Sequence, residues 1–494
     1  MKRATLLVLC LLPWLASAPA WAQGPTPGPS VQSEPFPLYR VTLANGLRVW
    51  CQPRPDSESV AALLVVDAGA RYETPANNGV SHFVEHMLFT GTERWSEEEI
   101  KEVIRRRGGR WNGGTDEEQT TYFAHVSAGD FGIALDWLAQ VVFHPTFPAD
   151  KVDKEREIIF QERWGHYGWL INTLDALGFG YELDRDVRRA LFPGSTLGLR
   201  VVGEDASLES LDRAALLGYY GRYYTPQNAT LIVAGNVTPA QALEQAQAYF
   251  GDLAGQGERP ATPDTPPMPA SGPQQVTVRG PMPTDQISLM VGARTVGRAD
   301  PDRWALVVLA ETLGNDLQEE IRYRQGLVYG LGAYQVSFDD TGYFAIATNS
   351  EQNHRQAILD TIEQHLEQVR RGEVDAGKVA EAQAALKGRW WLAMEDNVER
   401  AAWLAQWTSV LSAGQPVPDY PAAIGAVSPG DLVRVAAAYF TPQRRYLGLH
   451  QPVATVASGA QAAGIGVGLA LSAWAARRVW RWAKARRRQH SVKP

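Results

Sequence analysis

The strongest constraint on this chain is a repeat. Tyr223-Tyr224-Thr225-Pro226-Gln227 returns as Tyr439-Phe440-Thr441-Pro442-Gln443, 216 positions later in a chain of 494 residues. A helical pattern precedes each copy, and a β-like run follows it, at residues 229–234 and 446–450. Upstream, Val65-Val66-Asp67-Ala68-Gly69-Ala70-Arg71 is similar to Leu289-Met290-Val291-Gly292-Ala293-Arg294. Solenoid units run to about 20–45 residues, so a period this long means tandem domains. Residues 255–274 between the copies contain Pro260, Pro263, Pro266, Pro267, Pro269 and Pro273. Proline at that density interrupts helices and central strands, which makes the stretch a semi-rigid linker. The expected domains are therefore residues 35–254 and 275–452. β-like runs at 48–50, 61–66 and 122–126 fall as hairpin-like neighbours, and helical patterns at 80–89, 96–106 and 151–164 come in blocks. The expected fold class is α+β, with two homologous domains, each a mostly antiparallel sheet covered by helices.

The two ends read differently. Lys2 and Arg3 precede an apolar run at 4–14 and then Ala20-Trp21-Ala22, the pattern of a cleaved signal peptide over residues 1–22. Near the other end, residues 453–476 carry no charge and are long enough to cross a bilayer. Arg477, Arg478, Arg481, Lys484, Arg486, Arg487, Arg488 and Lys493 follow, so residues 477–494 read as a cytoplasmic basic tail behind a transmembrane helix. The expected localisation is a periplasmic body anchored in the inner membrane. The formal charge is −7, and with the basic ends set aside the body is more acidic still. That excludes a basic surface for nucleic acid. Of the two cysteines, only Cys51 survives signal cleavage, so no internal disulfide forms and the fold rests on its core.

The chemistry is concentrated in the first half. In His82-Phe83-Val84-Glu85-His86 the imidazoles are four residues apart, so on a helix both project from one face. That spacing suits two ligands on one Zn²⁺. Glu85 shares the face and is placed to take a proton from a hydrolytic water. The helical stretch 151–164 holds Glu155, Glu157 and Glu162. Glu155 and Glu162 are two turns apart and face the same way. Either could complete a His₂Glu site, with the other orienting a ligand.

This pattern resembles the inverted-zincin zinc peptidases, the family of pitrilysin, insulysin and the mitochondrial processing peptidase. There, His-x-x-Glu-His is followed by a Glu 76 positions after the second His, which is where Glu162 stands. The resemblance implies Zn²⁺ on His82, His86 and Glu162, Glu85 as the catalytic base, and Glu155 as the family's additional acid behind the ligands. Asn45-Gly46-Leu47-Arg48-Val49, GVSHFVEHMLFTGT at 79–92 and GRWNGGTDEEQTTY at 109–122 resemble further family segments. The last of these lies along the bound peptide in the family, which implies substrate contact for Asn112. Gly113 stands where the family has Ala, a change expected to loosen the strand by about 0.5–1 kcal/mol.

The second half lacks the metal motif. It carries Arg322 and Tyr329 at the separation of the family's Arg/Tyr pair, which faces the zinc across a closed chamber. The resemblance implies that both bind substrate. Together these features predict a zinc metalloendopeptidase acting on extended or unfolded peptides. Two domains make half of the family's usual chamber, which implies a homodimer or a heterodimer with a related subunit. The alternative is a non-catalytic scaffold or peptide-binding subunit of a membrane-tethered complex.

Overall fold

A strand with an unbroken apolar run has to be covered on both faces, and residues 59–66, Ser-Val-Ala-Ala-Leu-Leu-Val-Val, form such a strand after Ser59. The computed structural model describes residues 36–458 except 165–172, 175–181, 256–258, 267–273, 281–282, 412–413 and 442–443, with a few isolated positions beyond. The first half builds β1 (Tyr39–Thr42), β2 (Arg48–Pro53), β3 (Ser59–Val66), β4 (Arg110–Thr115), β5 (Thr120–Ser127) and β6 (Ala229–Gly235). The second builds β7 (Gln274–Gly280), β8 (Gln286–Val296), β9 (Val328–Ser337), β10 (Thr341–Glu351) and β11 (Arg445–Pro452).

The sheet orders are β1-β2-β6-β3-β5-β4 and β7-β11-β8-β10-β9. Apart from β1 the two orders are the same. In each, one pair is parallel, β2 with β6 and β7 with β11, and the other pairs are antiparallel. The strand after each Tyr-x-Thr-Pro-Gln copy fills the equivalent place, which accounts for the repeat in the sequence.

The halves cover each other. One face of the first sheet packs its own helices, with Val60, Ala62, Leu64 and Val66 of β3 in the largest core. The opposite face presents Leu63, Val65 and Ile232, and it is covered by Trp403, Leu404 and Trp407 from the second half. In return, Val187, Leu191 and Phe192 of the first half pack on Met290, Tyr343 and Tyr446 of the second sheet. A buried ion network joins the same halves. Glu118, from the β4–β5 turn, accepts from Arg71 at 2.6 Å and Arg298 at 3.0 Å. Arg298 also pairs with Asp339 at 2.6 Å, and Arg71 donates to the linker carbonyl of Pro263 at 2.9 Å.

Two sequence expectations are corrected here. Among the described residues no helix is long and apolar enough to cross a membrane. The expected span 453–476 begins inside the folded body: Val453 N–H donates to the Gly280 carbonyl at 3.0 Å and Thr284 N–H to the Ala454 carbonyl at 3.2 Å. These residues extend the rim of β11, and most of the rest of the span lies outside the described residues. The C-terminal transmembrane anchor is therefore not part of the observed α+β fold, and the anchored periplasmic localisation built on it loses its basis. The signal-peptide residues 1–22 lie outside the described residues, as does all of the basic tail except Arg477 and Arg478.

Because each sheet is roofed by the other half, chemical denaturation is expected to give one cooperative transition. Glu118→Ala leaves two buried guanidiniums without their shared carboxylate and lowers the unfolding free energy by about 3–5 kcal/mol. Denaturant titration followed by tryptophan fluorescence measures both.

Candidate metal centre

The motif segment forms α1 (Val80–Leu88), and the Lys/Glu-rich segment forms α4 (Ala149–Trp164). Between them, α2 (Glu97–Arg105) and α3 (Phe131–Phe143) complete the layer on this face of the first sheet. Phe83, Val84, Met87 and Leu88 of α1 are fully buried in the core, which fixes the helix's rotation and leaves His82, Glu85 and His86 on the other side. Its N-cap is Gly79 in the left-handed region, φ 92°. A Cβ there would sit 2.7 Å from Gly203 Cα, so only glycine fits. On α4, Val152 and Ile159 are buried, which turns Glu155 and Glu162 toward α1.

Three side chains converge. His82 Nε2 lies 3.7 Å and His86 Nε2 3.3 Å from Glu162 Oε2. One ligand atom from each of the three falls within 4.8 Å of the others. Glu155 Oε2 lies 3.3 Å from His86 Nδ1, behind the ring. Glu85 Oε2 is 3.9 Å from His82 Nε2. These five residues line a cavity of about 610 Å³ with Phe89, Trp111, Asn112, Gly113 and Thr115.

Asn112 sits on β4, the edge strand of the first sheet. Arg322 and Tyr329 do not join the cavity. Arg322 lies over the Tyr323 ring, and Tyr329 is 93% exposed on β9, the edge strand of the second sheet. The two edges, β4 and β9, are equivalent positions of the repeat. Sequence reasoning overlooked Thr115, whose hydroxyl bonds Glu85. The period-2 rule would have found it, since Trp111, Gly113 and Thr115 share the inward face of β4.

The chain matches the family model described as Insulinase (Peptidase family M16) over residues 48–166, and the Peptidase M16 inactive domain over residues 210–386. An uncharacterized zinc protease of Mycobacterium leprae is 30% identical over 364 residues, covering 73% of this chain and 80% of that protein. The chain belongs to peptidase family M16. Within it, the mitochondrial-processing peptidase subunit beta of Mus musculus is 27% identical over 417 residues, 82% of each chain. The solved structure of a protease from Helicobacter pylori superposes with a TM-score of 0.76 at 22% identity, covering 84% of this chain and all of that one.

Burial sets the electrostatics of the M16 site. It pushes Glu85 up to about 7, with His86 opposing and the Glu162 charge adding to the rise. His82 is pushed down to about 3, by burial first and by His86 second. Burial works against charge on His86 as well. There the Glu155 contact and the Glu85 and Glu162 charges outweigh it and hold the ring above the ordinary imidazole value. Gly113 also acquires a reason. A Cβ at this position would come within 2.8 Å of both Glu85 Oε1 and Phe89 Cζ. The missing methyl makes room for the carboxylate, which replaces the loosening expected from sequence.

Two outcomes follow. Gly113→Ala overpacks the site and costs about 1–3 kcal/mol in denaturant titration, despite alanine's lower backbone entropy. In metal-free protein, His86 takes up a proton as pH falls while His82 stays neutral until about pH 3, read by imidazole NMR titration.

Proposed function

We propose that this M16 chain is a zinc metalloendopeptidase that cleaves extended or unfolded peptides. The observation that carries the reading is the meeting of His82, His86 and Glu162 on two core-anchored helices, with Glu85 beside them in one cavity. The donor set fits zinc: two imidazole nitrogens and one carboxylate oxygen, with Glu155 behind His86 to fix its ring. The names of its relatives, zinc protease among them, agree. When bound, zinc supplies a Lewis acid that polarises the scissile carbonyl.

The chain's own groups do the rest. Glu85, raised to about 7 by burial, takes the proton of the attacking water on a carboxylate oxygen and returns it to the leaving amine nitrogen. The Thr115 hydroxyl and the inward face of β4 hold that carboxylate in place. Among the described residues the outer edge of β4 is unpaired, so an extended peptide adds there as a further strand, with Asn112 beside the bond to be cut. Recognition through backbone hydrogen bonds makes specificity loose. Arg322 and Tyr329 lie outside this cavity, so their contact with substrate requires a second copy of the chain or a related subunit facing it.

Glu85→Gln is expected to keep one zinc per chain and lose about 10²–10⁴-fold in cleavage of an unstructured peptide. Retained turnover would refute the base assignment. His82→Ala should lose the metal by elemental analysis, and chelator should silence the wild type until zinc is returned. Light scattering of the purified protein tests the second subunit: a strictly monomeric active enzyme removes the need for one.

A further inference from the structure

The two histidines are not supported alike. His86 has Glu155 at its Nδ1. His82 Nδ1 is buried and finds no hydrogen-bond partner among the described residues. A metal-binding imidazole is ordinarily aimed by an acceptor at its other nitrogen, and among the described residues His82 has none. Its aim must come from the backbone that carries it.

That backbone is held by one carboxylate. Glu73 is 4% exposed and sits at the N-terminus of α1, seven residues before the first turn. Its Oε2 accepts from the Gly79 N–H at 2.7 Å and from Asn78 Nδ2 at 2.8 Å. Its Oε1 accepts from the Ser81 N–H at 2.9 Å and from Ser81 Oγ at 2.6 Å. Ser81 Oγ also lies 2.8 Å from the Tyr219 hydroxyl. Since the serine proton goes to Glu73, Tyr219 must be the donor to Ser81. The chain of bonds therefore runs Tyr219 to Ser81 to Glu73, and it passes through Ser81, the residue immediately before His82. The other side of the turn is closed off, because Asn78 Nδ2 also reaches the Arg200 carbonyl at 2.8 Å and Gly79 packs on Gly203. An anion here meets two helix N–H groups and the positive end of α1.

We infer that Glu73 is a positioning residue for the metal centre: through the N–H groups of Gly79 and Ser81 it sets the first turn of α1, and with it the direction of His82. The inference rests on the zinc-peptidase reading above. Glu73 is not among the residues lining the metal cavity, and it does for His82, through the main chain, what Glu155 does for His86 through the ring. Apolar burial of Phe83 and Met87 fixes the rotation of α1 about its axis. The Glu73 clamp fixes where the helix begins.

The test uses the full chain and the isosteric variant Glu73→Gln, whose amide turns one acceptor into a donor among four donors. Zinc affinity by competition with a chromophoric chelator, kcat and KM on an unstructured peptide, and the denaturation midpoint are measured together. The expected result is a folded protein with zinc affinity about 10–100-fold weaker, a comparable fall in kcat and an almost unchanged KM. Glu73→Asp, which restores the charge, should recover part of both losses. A folded Glu73→Gln protein with wild-type zinc affinity and kcat overturns the inference. Should Glu73→Gln not fold, Glu73→Asp keeps the charge but draws it back by one methylene from the Gly79 and Ser81 N–H groups. Weakened zinc affinity in that variant supports the role, and wild-type zinc affinity with a lowered denaturation midpoint reduces Glu73 to a stability residue. Wild-type protein that binds no zinc overturns the peptidase reading and this inference together. Wild type that binds zinc beside an indifferent Glu73→Gln overturns the inference alone.

Discussion

β3 runs through the centre of the first sheet with apolar side chains on both faces. The rest of the structure depends on satisfying that demand. Helices of its own half cover one side, and the other is covered by the tryptophan-rich segment around Trp403 and Trp407 of the second half. The debt runs both ways, since Val187 and Phe192 of the first half cover the second sheet. Buried charge then makes the arrangement specific. Glu118 holds Arg71 and Arg298, residues of different halves, in one network. The result is a rigid platform, and α1 and α4 stand on it with their polar faces toward each other.

The chemistry uses burial in two opposite ways. It raises Glu85 into the range where a carboxylate trades protons near neutral pH. It also keeps His82 neutral, which is the form that binds a metal. In the proposed site the exposed Glu162 would bind the metal, and Glu155, buried beside His86, steadies that ring. One helix pair thus brings three carboxylates and two imidazoles to short range.

Much of the site was legible because its signals are local. Two imidazoles four residues apart and two acids seven apart each define a helix face, and the faces then had to meet. The tandem organisation was legible because the copied Tyr-x-Thr-Pro-Gln segment ends in a strand with the same neighbours in each sheet. What escaped was non-local. Glu73 precedes its helix by a loop, and nothing in its neighbourhood marks it as the acceptor for Gly79 and Ser81. Gly113 read as a missing methyl because its neighbours Glu85 and Phe89 are distant in sequence. The membrane span failed for a related reason. Val453 and Ala454 look like the start of an apolar helix, yet their backbone groups pair with residues 280 and 284 on the rim of the second sheet.

His82 and Glu85 are polar groups kept in the interior, and a buried imidazole nitrogen without a partner costs stability. The fold itself asks nothing of them, because the adjacent apolar residues of α1 carry the packing. Selection for a durable fold and selection for turnover therefore pull these positions in opposite directions. A lineage released from the need to cleave would gain robustness by replacing them. An architecture of this kind carries within it an easy descent from enzyme to inert subunit, and keeping the motif whole is the part that needs continued upkeep.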